Sequence, residues 1–139
     1  MKVNKYAIDW QIIRVKARSI KNVSQKVLYV MDWFEKNQSQ QNYERVLNWL
    51  KMTKVSYKDK AIRDAFDASI DLTVKSKRLF TQEEKTKELS DIDTADLILV
   101  FKDLQKRKYG FQYKKVPKSH TEFMHKLEKE LNCRGVYKL

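Results

Sequence analysis

One proline and two glycines in a chain of 139 residues leave almost no material for tight turns and bulges. Folds rich in such connections, all-β or doubly wound, use Gly for left-handed backbone and Pro for a preset φ at turn after turn. Their scarcity argues against those folds and favours helices joined by polar turns. Cysteine is as sparse: the single Cys133 excludes an internal disulfide and a cysteine-rich zinc site, which points to a reducing compartment, with the cytoplasm expected. The two histidines, His120 and His125, are five residues apart and do not stack as the i, i+4 pair of a helical zinc site would, so no metal is expected. His120 lies beside an expected helix cap and His125 is expected at the surface. Isolated glycines at 110 and 135 make no nucleotide-cradling loop, so no cofactor is expected either. The longest apolar runs, Val27–Met31 and Leu97–Phe101, fall far below the roughly 20 residues a bilayer requires. Residues 1–6 lack the apolar stretch and small-residue cleavage site of a secretory signal, so neither export nor a membrane partner is expected.

What the chain does have is an apolar content of 42%, enough for one core at this length, and the expectation is a single helical domain over 1–139. Apolar positions recur at steps of three and four. Tyr6, Trp10, Ile13, Ala17 and Ile20 predict a helix over about 5–21, although the β-branched residues of 10–16 would also suit a strand. Val23, Val27, Val30, Met31 and Phe34 predict a second over about 23–37, capped by Ser24 or Asn22. Tyr43, Val46, Leu47 and Leu50 predict a third over about 41–54, antiparallel to the second because the Gln/Asn-rich connection is short. Ile62, Ala65, Phe66, Ser69 and Ile70 define a fourth with Asp59 as N-cap, followed by a basic connector over 73–80. Thr81-Gln82-Glu83-Glu84 forms a capping box for a short helix. Leu97, Phe101 and Leu104 define a helix over about 94–109, with Gly110 as its left-handed cap. A second capping box, Ser119-His120-Thr121-Glu122, opens a last helix through Phe123, Leu127 and Leu131. The fold class is therefore all-α, a compact bundle of six or seven short helices, the seven-helix count giving way to six if one short extended segment occupies 109–116. Trp10, Phe34, Leu47, Leu50, Phe66, Phe101, Leu104 and Leu127 are expected to bury together. Tyr29, Trp33, Trp49 and Met52 fall off the best stripes; they either complete a broad core or, exposed, anchor a protein interface.

Charge is organised along the chain. The net formal charge is +8 over residues 1–58, −3 over 59–101 and +7 over 102–139. Such a field attracts polyanions, since each cation that meets a phosphate releases condensed counterions. Two cationic zones stand out. The first, Arg14, Lys16, Arg18 and Lys21 with Lys26, contains no acid. The second, Lys102, Lys106, Arg107, Lys108, Lys114, Lys115 and Lys118, contains only Asp103 and is interleaved with Tyr109, Phe111 and Tyr113, rings on which bases could stack. A plainer reading tucks those rings onto the core and leaves the cations to satisfy helix-end carbonyls and keep the protein soluble. Residues 39–73 have the outline of a helix-turn-helix, but Asp64, Asp67 and Asp71 would then confront phosphates. Those carboxylates, at helical spacing, read as a solvated face or a surface for a basic partner. No catalytic motif is present, and Cys133 has no activating residues around it. The expectation is a non-enzymatic protein that binds DNA or RNA mainly through phosphates. The alternative is a protein-binding adaptor or inhibitor, such as a viral or mobile-element accessory factor acting on a nucleic-acid enzyme.

Overall fold

A computed structural model describes residues 7–75, 87–110 and 118–136. Among these, every regular element is helical: α1 (Ile8–Arg18), α2 (Val23–Lys36), α3 (Gln40–Lys54), α4 (Lys60–Lys75), a 3₁₀ turn (Leu89–Asp91), α5 (Thr94–Gly110) and α6 (Lys118–Cys133). The all-α expectation holds. The segment 10–16 is helical despite its β-branched residues, because α1 is buried around most of its circumference, from Ile8, Trp10 and Gln11 to Val15 and Ala17. The short helix expected from Thr81 lies outside the described residues.

The helices divide into two compact units, one comprising Met1–Lys5 and Lys16–Lys85, the other Tyr6–Val15 and Thr86–Leu139. In the first, α2, α3 and α4 all contact one another. Asn22 caps α2 by accepting from the Gln25 N–H at 3.0 Å, and Ser39 caps α3 by accepting from the Asn42 N–H at 3.0 Å. Asp59 does the same for α4 toward Ile62 at 3.2 Å. The inward stripes place Val30, Phe34, Tyr43, Val46, Leu50 and Phe66 in the buried interior. Phe66 is the hub: Tyr57 stacks on it at 5.5 Å between ring centroids, and Trp49 tilts against it at 6.5 Å. α4 runs two residues past Thr73, into the expected connector, because Thr73 is buried and its hydroxyl donates to the Ser69 carbonyl at 2.8 Å.

In the second unit, Ile8 and Ile12 pack with Ile92, Leu97, Val100, Phe101, Leu104, Leu127 and Leu131. Arg134 ties this unit together, donating to the carbonyls of Ile92 at 2.6 Å and Leu89 at 2.9 Å and to the Thr94 hydroxyl at 3.0 Å. The residues expected in one common core thus divide between two interiors, with Leu47 only half-buried.

Three local expectations are corrected. α5 extends through Gly110, so Gly110 and Tyr109 are helical and the extended segment does not begin at 109. The left-handed cap is at Gly135, with φ +80, where Val136 N–H bonds to the Leu131 carbonyl and Gly135 N–H to that of Asn132, both at 3.0 Å. Ser119 lies inside α6 instead of capping it, and His120 points into the interior, almost fully buried.

Candidate nucleic-acid interface

Of the first cationic zone, Lys16, Arg18 and Lys21 are exposed around the end of α1. Arg14 is not. It is 8% exposed, with its Nη2 2.5 Å from Asp103 Oδ2 and 2.5 Å from Gln11 Oε1, which also accepts from its Nε at 3.1 Å. A guanidinium held this way satisfies a buried carboxylate from its own unit and has no surface left for phosphate. The same contact removes Asp103, the lone acid of the second zone, from the surface.

In the second zone Lys102 and Lys106, one helical turn apart on α5, are exposed, as is Lys118 at the start of α6, where it stands 3.8 Å from Glu122. Arg107, Lys108 and Tyr109 continue α5. Phe111, Tyr113, Lys114 and Lys115 lie outside the described residues. The two zones fall in different units, apart from Arg14.

The fold adds cations that a reading by zones overlooks. Residues 10–31 contain no acid, and neither do residues 45–58. Because α2 and α3 are antiparallel neighbours, the start of α2 meets the end of α3. Lys26 Nζ lies 3.4 Å from the Tyr57 hydroxyl, which fixes the junction. Exposed Lys21, just before α2, is thereby brought to the end of the bundle where Lys58 precedes α4 and Lys60 and Arg63 occupy its first turn around the capping Asp59, while Lys51 stands farther back along α3. Lys54, at the same end, is ion-paired to Asp67, and Arg63 Nη1 donates to the Tyr57 carbonyl at 3.3 Å. Arg45, the remaining cation of the acid-free stretch of α3, is buried and donates to Asn42 Oδ1 at 2.7 Å. The absence of acids between Glu44 and Asp59, read with the antiparallel pairing, was the signal that could have found this end.

Backbone dipoles reinforce the field. The positive N-termini of α2 and α4 both lie here, while the negative C-terminus of α3 is offset by Lys51 and Lys54. The arrangement suits a phosphate backbone better than base edges, because Tyr57, the aromatic residue at this junction, is stacked on Phe66. The acidic row of α4 is broken up chemically by the Lys54–Asp67 pair, and among the described residues no three His, Cys, Asp or Glu side chains converge to hold a metal. No described helix is long and apolar enough to cross a membrane. The chain matches no protein-family model, no curated protein and no solved structure at a significant level.

Proposed function

We propose that this chain is a non-enzymatic nucleic-acid-binding protein of the cytoplasm that holds DNA or RNA through phosphates. The cationic end of the α2–α4 bundle is its principal contact, and Lys102, Lys106 and Lys118 add to the affinity. The observation that carries this reading is the meeting of two acid-free stretches, 10–31 and 45–58, at one helical end, where exposed Lys21 and Lys58 are joined by Lys60, with Lys51 farther back along α3. Convergence matters because phosphates spaced along a backbone reward cations that share a surface, whereas scattered lysines only raise solubility. The single exposed thiol, Cys133, suits a reducing compartment.

The test is a salt titration on duplex DNA with the parent chain and with Lys21, Lys51, Lys58 and Lys60 changed together to Gln. Each lost phosphate contact lowers the slope of log K against log salt by about 0.9, so the variant should be shallower by up to about 3.6 and weaker on every sequence. Parental affinity and slope in a folded variant would remove this end of the bundle from the interface.

A further inference from the structure

Beside its cationic end, the same three-helix unit carries a face of opposite character. Residues 27–35 of α2 and 64–74 of α4 contain no Lys or Arg, in a chain with 30 of them. Position around each helix follows from the contacts. On α4, Phe66 and Thr73 mark the inward side, and the Asp67 pairing with Lys54 marks the flank that faces α3. At 100° per residue, Ala61, Ala65, Ala68 and Leu72 then fall on the opposite flank, beside α2. On α2, Met31 marks the side toward α4, since its sulfur lies 3.7 Å from the Thr73 hydroxyl. Leu28 falls on that same side, farther out.

The two flanks border a shallow furrow. Leu28 and Leu72 are 58% and 66% exposed, and Ala61, Ala65 and Ala68 are exposed small residues that let another backbone approach closely. Asp32 and Glu35 on α2 are exposed along its edge, and Asp64 and Asp71 are exposed on the outer face of α4, between the alanine stripe and Asp67. Two large aliphatic side chains left in water flanked by four carboxylates suit neither a nucleic acid, whose phosphates the carboxylates would repel, nor like-with-like pairing of the furrow, which would set acid against acid.

We propose that this furrow docks a basic amphipathic helix of a partner protein, with aliphatic side chains laid between Leu28 and Leu72 and Lys or Arg reaching the carboxylates. Such a helix supplies both the apolar stripe and the complementary charge. The proposal does not rest on the nucleic-acid reading, since it calls on no Lys or Arg of the cationic end, although Ala61 and Asp64 adjoin Lys60 and Arg63 there.

The experiment titrates the full chain into a labelled peptide of about 18 Leu and Lys residues with Leu at i, i+3, i+4 and i+7. A peptide of identical composition, with its Leu spread around all helical faces, serves as the control. Anisotropy should show the amphipathic peptide binding at least about tenfold more tightly than the control. The pair Leu28→Asn and Leu72→Asn should weaken it by about tenfold, and joint neutralisation of Asp32, Glu35, Asp64 and Asp71 to Asn or Gln should do the same. Amide shift changes should centre on residues 24–35 and 61–72. Both leucines are exposed, so the double variant should retain the parental circular dichroism and melting temperature. Equal binding of the two peptides, or unchanged binding by the folded leucine variant, would overturn the proposal. So would sedimentation showing a parent dimer that this variant abolishes, because the occupant would then be a second copy of the chain.

Discussion

Asp103→Leu should be among the most damaging single substitutions in the chain. The Asp103 side chain is 3% exposed and its Oδ2 lies 2.5 Å from Arg14 Nη2, on a side chain only 9% exposed. Removing one member of a buried pair leaves the other charge in a medium that cannot solvate it, at a cost of about 3–5 kcal/mol. Arg14→Met should cost about 1 kcal/mol more, since the guanidinium also serves Gln11 Oε1. Replacing both together, Arg14→Met with Asp103→Leu, puts apolar volume where two charges stood, and the total should fall about 2–3 kcal/mol short of the sum of the single losses. The assay is urea unfolding in a background of Trp33→Phe and Trp49→Phe, which leaves Trp10 as the sole tryptophan and confines the signal to the unit that holds the pair. With a slope of about 1–3 kcal/mol per molar urea, a loss of about 3 kcal/mol moves the midpoint by about 1–3 M. A loss under about 1 kcal/mol for Asp103→Leu is the size expected of an exposed ion pair and would refute the burial on which the argument rests.

Two further outcomes follow from packing and backbone geometry. Leu50→Ala in the first unit and Leu104→Ala in the second, both fully buried, should each cost about 2–5 kcal/mol in denaturant melts, and tolerance of either would contradict the core assignment. Gly135→Ala should lower stability by about 1 kcal/mol through the positive φ alone, because a Cβ there would meet nothing within 4 Å; an unchanged melting temperature would show that the turn relaxes.

The helices were legible because their apolar periodicity is strong and their caps are local: Asn22 and Asp59 each sit three residues before the N–H they accept from. Where a signal depended on distant residues, it was not. Arg14 has the surroundings of a solvated cation in sequence, and only Asp103, 89 residues away, reveals that it is internal. Periodicity shows that a helix has an apolar face without saying which face it meets, so Ile8 and Ile12 gave no hint that they pack with Leu127 and Leu131 while α2, α3 and α4 build a separate interior. Capping boxes misled at Ser119 because the matching residues fit equally well inside the first turn, where the helix already includes Lys118. At the cationic end the individual lysines were visible, but their convergence required the antiparallel pairing and the Lys26–Tyr57 contact.

The division of the chain has a consequence for its birth on the ribosome. The helices α2, α3 and α4 of the first unit follow one another in sequence, whereas the other unit is assembled from Tyr6–Val15 and a stretch that begins at Thr86. Ile8 and Ile12 are translated long before their partners Leu127 and Leu131. At about 5–20 residues per second, roughly 6–24 s separate Ile12 from Leu131. Once Lys75 has been made, α2, α3 and α4 have the sequence they need to fold, while the apolar side of α1 still waits in water as a target for chaperones or for other nascent chains.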